Sequence, residues 1–337
     1  MSARTRVLVI GASGTLGSQI GTALEEAGCE VLRGVRSPLR PGDIPVDIND
    51  RRSLQGAAAH VDLVVVAVPH IDPLVQQVCA QAAVPCLDVS PHLELRDSAR
   101  RALREQGPPS IVMCGLYPGL SGILASHVAA GLDEVEEISV GLLQSTNAHV
   151  GPAGVRDMLA SLARPVPKSG GMAPGFRRRR RMQFGGREAT VRLVRYDESQ
   201  LLRERFSTSE INYFTAWDSQ SFTAAIAALQ RVGLLSRLVR STVDLTPRHN
   251  PRAPQTVHLR AEAHGSRQGR RAARALEVEA ESDYGATALM VVAVARRLLA
   301  RSTNVRGVVS PMDVLALSDL APLIEAGRLR LSSHEKT

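Results

Sequence analysis

Three glycines, Gly11, Gly14 and Gly17, recur at every third position just after the apolar run Val7-Leu8-Val9-Ile10. A helical pattern follows at once, with Leu16, Ile20 and Leu24 on one face and Gly28 at its end. This is the order of residues a dinucleotide needs. Gly11 turns the chain tightly off a strand, Gly14 lets a pyrophosphate approach the backbone, and Gly17 lets the helix pack close to the sheet. Ser13, Thr15 and Leu16 complete the turn, whose free N–H groups and positive helix end suit phosphate. NAD-specific sites carry an acid about 20 residues past the glycines, where it takes the ribose 2′-OH. Here the stretch Leu32-Arg33-Gly34-Val35-Arg36-Ser37-Pro38-Leu39-Arg40 holds no carboxylate. Arg36 and Ser37, with Arg40 beyond, suit a 2′-phosphate instead, and NADP(H) is the expected cofactor. Asp47 is expected near the adenine, and Asp50 reads equally well as a helix N-cap. Ala67, Val68 and Pro69 end a later apolar strand at the switch point and are expected along the nicotinamide.

Hydride transfer needs an acceptor held about 3–3.5 Å from the nicotinamide carbon and a group to move a proton. Residues just past the strand ends that could serve are His70, Asp88, Ser90, His92 and Tyr117. Tyr117 and His92 are the expected proton donors. Ser90, Pro118, Gly119 and Tyr213 are expected to touch substrate, with Trp217 and His149 nearby. Ser121 reads as the cap of a helix over Gly122–Ala130, whose start could hold an anion. One alternative chemistry fails directly. Short-chain dehydrogenases need a lysine four residues after a tyrosine, and Tyr117, Tyr196, Tyr213 and Tyr284 are followed there by Ser121, Gln200, Trp217 and Ala288.

The elements that position these residues alternate strand and helix through the first third of the chain. Strands are expected at Glu30–Val35, Asp62–Val68, Val84–Val89 and Ser110–Cys114, with helices at Asp72–Ala82 and Leu93–Gln106 between them. That alternation predicts an α/β doubly wound parallel sheet of Rossmann type. From Glu134 onward the apolar residues alternate singly. Strands are expected at Glu137–Val140, Thr190–Val194, Glu210–Phe214, Val257–Ala263 and Leu276–Glu281, with helices at Val155–Ala163 and Asp218–Leu235. This predicts a second, α+β domain on a mixed or antiparallel sheet. Gly265–Gly269 reads as a hairpin loop, Lys168–Gly175 as a Gly/Pro-rich loop, and Arg177–Arg181 as a solvated, mobile run of like charges.

The 337 residues suffice for two domains, and 44% hydrophobic with 22% charged residues is ordinary for a globular protein. Aromatics make up only 3%, too few for the stacking platforms of single-stranded nucleic-acid binding. The net charge of +8 is almost all arginine, since Lys168 and Lys336 are the only lysines; affinity for anionic ligands is one reading of it. Four cysteines lie far apart with no CxxC pair, which gives no support to a metal site and fits a reducing cytoplasm. The apolar stretch Ala286–Ala295 is well short of the roughly 20 residues of a membrane span, so no membrane partner is expected.

Several segments together resemble the saccharopine dehydrogenase-like reductases over nearly the whole chain. They are Gly11-Ala12-Ser13-Gly14, Val46-Asp47-Ile48, Val64–Pro69, Pro85–Ser90, Cys114-Gly115-Leu116-Tyr117-Pro118-Gly119-Leu120-Ser121 and Gly307–Pro311. The resemblance implies a nucleotide-binding domain made from both chain ends, with an inserted substrate and dimerisation domain. The expected division is 1–121, 122–284, and a helical tail 285–330 returning to the first domain. It also implies NAD(P)-dependent hydride transfer, typically at the C–N bond of an imine or amino acid, and a homodimer. Tyr117 stands where saccharopine-making relatives often carry an acid before Pro-Gly, which argues against a saccharopine-type substrate. Two other functions fit the same residues: reduction of a ketone or enoyl group in secondary metabolism, and a non-catalytic NADP sensor.

Overall fold

A computed structural model describes residues 4–105, 107–168, 171–206, 210–240, 246, 248–300 and 304–336. The chain begins β1 (Arg6–Ile10), α1 (Thr15–Glu26), β2 (Glu30–Val35), β3 (Ile44–Pro45), α2 (Arg51–Ala58), β4 (Leu63–Val66), α3 (Leu74–Gln81), β5 (Cys86–Asp88), α4 (Leu93–Ala102), β6 (Ser110–Ile111) and α5 (Leu120–Ala129). It continues β7 (Glu134–Gln144), α6 (Pro152–Ala163), β8 (Val166–Lys168), β9 (Gly171–Ala173), β10 (Arg179–Phe184), β11 (Arg187–Val194), α7 (Glu198–Arg205), β12 (Glu210–Trp217), α8 (Gln220–Arg231) and α9 (Leu234–Arg240). It ends β13 (Val257–Arg267), β14 (Arg270–Ala280), α10 (Asp283–Leu299), β15 (Val308–Val309), α11 (Ala321–Glu325) and β16 (Leu329–Lys336). Two compact units result: Met1–Leu120 with Tyr284–Leu320, and Ser121–Asp283 with Ala321–Thr337.

The first unit is a seven-stranded sheet in the order β15-β6-β5-β4-β1-β2-β3, with every pairing parallel. Continuous apolar runs explain the burial of its centre. Val7 to Ile10 in β1 and Leu63 to Val66 in β4 are at most 2% exposed, as a strand covered on both faces requires. Burying each such side chain contributes about 1.5–3 kcal/mol. Chain winding reverses between β1 and β4, the switch point where such sheets bind ligands. The expected strands and helices are present with trimmed ends: Asp62–Val68 shortens to β4, Ser110–Cys114 to β6, and Leu93–Gln106 to α4. Gln106 itself lies outside the described residues.

The second unit is a mixed sheet, β10-β11-β12-β7-β13-β14-β16, in which only β12 and β7 run parallel. Five expectations need correction here. The Arg177–Arg181 run is not a mobile loop: Arg179 onward forms β10. Alternation along that strand turns Arg180 inward, where it pairs with Glu137 and, at 3.3 Å, with Glu262, so carboxylates of β7 and β13 offset the repulsion. The Gly265–Gly269 loop contracts to a two-residue turn, Gln268-Gly269, at φ +52° and +72°, the left-handed pair a tight hairpin takes. The helix over Asp218–Leu235 is broken at Gly233 (φ +74°) into α8 and α9, bent by 92°. The tail 285–330 does not return whole to the first unit. It leaves at Ala321, and Leu329–Lys336 adds an edge strand to β14 of the second. Part of the Lys168–Gly175 loop is the β8–β9 pair, and residues 169–170 lie outside the described residues.

Candidate functional site

The glycine turn connects β1 to α1 and is tied to the end of β2. The N–H groups of Gly11 and Ala12 donate to the Gly34 carbonyl at 2.9 and 3.3 Å, and Gly14 N–H donates to the Gly11 carbonyl at 2.9 Å. The three glycines differ in what excludes a side chain. At Gly11 (φ +88°) a Cβ would lie 2.5 Å from Val68 Cγ1, and at Gly17 it would lie 2.1 Å from the Gly11 carbonyl oxygen. At Gly14 the nearest atom would be 3.3 Å away and φ is −76°. The fold itself therefore excludes a side chain at the first and third positions outright and crowds one only slightly at the second. Gly14 faces outward with Ser13, while Thr15 and Leu16 are half-buried. No side chain caps α1 and no acid occupies its first turn, so its positive end is not screened by the protein.

Arg36 and Ser37 are exposed just past β2, two and three residues beyond the Gly34 carbonyl that holds the turn. Arg33 is committed elsewhere: its Nε donates to Asp43 Oδ1 at 3.0 Å. Asp43 Oδ2 also accepts from the N–H groups of Leu39 and Arg40, both at 3.1 Å, and these bonds hold its carboxyl below the usual range. Arg36 has no hydrogen-bond or ion-pair partner among the described residues. Asp43 was not anticipated from the sequence, yet it shapes the loop that carries Arg36. The Val46 N–H donates to the Val35 carbonyl at 2.9 Å, which sets Asp47 beside the same strand end. Asp47 turns its carboxylate onto Asn49 N–H at 2.9 Å, and Asp50 caps α2.

Beyond β4 and β5 the chain builds a buried polar cluster. Asp88, with no exposed surface, accepts from Ser90 N–H at 2.8 Å, from Gln76 Nε2 at 2.7 Å, and faces His70 Nε2 at 2.6 Å. His70 Nδ1 lies 2.9 Å from the Asp72 carbonyl. Burial opposes charge on this ring, but the bonds and charges of Asp88 and Asp72 outweigh it and raise its pKa. Ser90 is buried, its hydroxyl 3.5 Å from the Val68 carbonyl. Ala67 and Val68 pack against Gly11, as the distances above show, and Pro69 is exposed. His92 is the N-cap residue of α4 and makes no side-chain cap. Gln76 escaped the sequence reading because nothing in an apolar helix pattern marks one polar residue as turned inward.

The turn Gly115–Gly119 lies at the same sheet edge, joined to β5 by a Cys114 N–H bond to the Asp88 carbonyl at 2.9 Å. Gly119 (φ +125°) is forced by crowding, since a Cβ would stand 2.2 Å from the Gly115 carbonyl oxygen. Met113 takes φ +60° without being glycine, a strained conformation costing about 1–2 kcal/mol just before the turn. Thr287 of α10 accepts from Leu116 N–H at 3.1 Å and so braces the turn from the other end of the chain. Tyr117 is half-buried here, and its bond to Pro118 is cis.

In the second unit two assignments are corrected. α5 starts at Leu120, so Ser121 is inside the helix and does not cap it; its hydroxyl donates to Glu198. Tyr213 is 1% exposed and donates to the same Glu198 oxygen at 2.6 Å, its ring stacked on Tyr196 at 5.7 Å. Its hydroxyl serves this buried cluster rather than a substrate face. Trp217 likewise packs between Phe176 and Phe222 in the interior, and His149 stacks on His249 at 4.8 Å. Among the described residues no group of three His, Cys, Asp or Glu side chains could hold a metal ion, and no single helix is long and apolar enough to cross a membrane.

No family model and no curated protein sequence matches the chain. Solved structures do. Saccharopine dehydrogenase (L-Glu forming) from Saccharomyces cerevisiae superposes with a TM-score of 0.66 at 14% identity, covering 99% of this chain and 100% of that one. DAP dehydrogenase of C. glutamicum, in complex with DAP, overlaps more loosely, with a TM-score of 0.49 at 13% identity over 96% of this chain and 98% of that one. The chain carries the saccharopine dehydrogenase fold, in which the Rossmann sheet and second mixed sheet described above are the two parts.

Proposed function

We propose that this chain is an NADP(H)-dependent oxidoreductase that moves hydride to or from a C–N bond, in an imine or amino acid, of a small carboxylated substrate. One observation carries the reading: Gly14 is a glycine the protein's own packing does not require, at the uncapped start of α1. A Cβ there would meet only the Gly11 carbonyl oxygen, at a tight 3.3 Å, on an exposed turn where a diphosphate would come up to the backbone. The residues present fit the cofactor. Gly11 to Gly17 would hold the diphosphate, the unpaired Arg36 with Ser37 would hold a 2′-phosphate, and Ala67 to Pro69 would border the nicotinamide ring. When bound, the nicotinamide supplies or removes the hydride.

The chain's own contribution is positioning and proton transfer. Val68, fixed between Gly11 and Ser90, forms a rigid wall to the site, and the Gly115–Gly119 turn frames the substrate through Pro118 and Gly119. Tyr117 at that turn, or His92 at the start of α4, gives or takes the proton. Shared fold with saccharopine dehydrogenase supports amine chemistry over ketone or enoyl reduction. A homodimer in the cytoplasm, built through the second unit, accords with this reading. Fluorescence titration with NADPH and NADH tests it. Saturable binding with NADPH preferred is expected; no binding of either nucleotide refutes the cofactor assignment, and binding without turnover of any imine or amino acid refutes the reaction.

A further inference from the structure

We propose that His70 is a positioning residue whose imidazolium clamps the loop after β4 in the form that receives the nicotinamide nucleotide. The inference rests on the nucleotide reading above and adds a pH-dependent control to it. Both ring nitrogens face acceptors. The Asp72 carbonyl, 2.9 Å from Nδ1, can only accept, so Nδ1 carries a proton. Both Asp88 oxygens already accept, Oδ1 from the Ser90 N–H and Oδ2 from Gln76 Nε2, so His70 Nε2 at 2.6 Å from Oδ2 donates as well. A ring with two donors is the charged form. Neither nitrogen is left to meet a substrate, which separates this role from that of a proton donor.

The loop so held is the one that borders the glycine turn. It is pinned at Ala67, whose N–H donates to the Ile10 carbonyl at 2.9 Å, and at Ile71, whose carbonyl accepts from Ser98 of α4 at 3.2 Å. Between these, Val68 packs on Gly11, and among the described residues His70 is the side chain that ties the loop to β5 by charge. Neutral His70 keeps a single N–H and must release either Asp88 or the Asp72 carbonyl. The groups facing it are Asp88 from β5, Asp72 from its own loop and the neutral Gln76 amide of α3. Near Asp88, the Cys86 thiol is held protonated by its hydrogen bond with Cys79 and by burial, and the Cys114 thiol by burial. The raised pKa means the clamp persists somewhat above the ordinary histidine value of 6.5 and opens as pH rises past it.

The experiment compares the wild-type chain with His70→Gln, first confirmed folded by its melting curve. NADPH affinity is measured from pH 6 to 9 in both. Titration of the 2′-phosphate is common to the two and cancels in their ratio. The wild type is expected to bind about tenfold tighter at pH 6, with the ratio approaching one by pH 9. A ratio that is one at all pH values, or constant with pH, overturns the proposal. A second readout needs no nucleotide: in the ligand-free wild type, nitrogen NMR is expected to show His70 doubly protonated below pH 6.5, and amide exchange at residues 67–72 is expected to lose protection as it titrates. A neutral His70 at pH 6, or protection indifferent to its titration, overturns the clamp. Failure of NADPH to bind at any pH overturns the nucleotide reading, while the ligand-free readout still decides the clamp.

Discussion

At the scale of single residues, the three glycines separate what the fold needs from what a ligand needs. Gly17→Ala would drive a methyl into the Gly11 carbonyl, where the hypothetical Cβ is 2.1 Å from oxygen. That variant is expected to lose several kcal/mol of stability, visible as a lowered Tm. Gly14→Ala is expected to fold with nearly unchanged Tm yet bind NADPH at least tenfold more weakly by fluorescence titration. Should both variants melt alike, the distinction between the two glycines fails. Arg36→Ala is expected to weaken NADPH by about 1.5–3 kcal/mol, the range for a charged hydrogen-bonding partner, while NADH binding changes little. Equal losses for the two nucleotides would remove the 2′-phosphate assignment. The glycine spacing and the missing carboxylate after β2 were legible because they are local in sequence. Gln76 and Thr287 were not, since each acts on a residue of another element and neither disturbs the pattern of its own; Asp43 is local to its partners, but a lone acid in a loop carries no pattern that marks it.

At the scale of elements, strands were read well and polar side chains inside the second unit poorly. Alternation located β7, β11, β12, β13 and β14, because a half-buried strand repeats every two residues. The same alternation could have found β10. Charge composition suggested a solvated loop there, but Arg180 lies inward against Glu137 and Glu262 while Arg181 stays out. Ser121 shows the converse error: a serine before an apolar run looks like a cap until Glu198 takes its hydroxyl. This cluster yields a prediction. Tyr213→Phe removes a hydroxyl that donates to the buried Glu198 and is expected to cost about 1–3 kcal/mol, read as a lower denaturant midpoint at unchanged slope. No loss of stability would mean that the hydroxyl pair does not support Glu198.

At the scale of the whole molecule, the division into two units follows from where the sequence changes period, and that change was visible near Glu134. Its later boundary was less so. The tail carries both an apolar helix suited to the first unit and the strand β16 that completes the second, and no local signal says which sheet a lone C-terminal strand joins. Asp283, the last residue of the second unit before the chain crosses back, gives a test at this scale. Burial pushes its carboxyl up from 3.8 to about 6. A pKa raised on folding contributes stability that is full below the unfolded value and is lost as pH climbs through the folded one. Asp283→Asn is therefore expected to raise Tm by a few degrees above pH 6 and to make little difference near pH 4. A variant with the same Tm offset at both pH values would contradict the desolvation of this carboxyl.

The double crossing of the chain also sets a timetable for its birth on the ribosome. Strand β6 waits for β15, made almost two hundred residues later, and β14 waits for β16, about fifty residues further on. Neither of these edges can close until the later strand has been made, and a nascent chain emerges at only about 5–20 residues per second. A chain cut after Leu320 would keep every strand of its first sheet and leave β14 of the second with an unpaired edge, open to pairing with another chain.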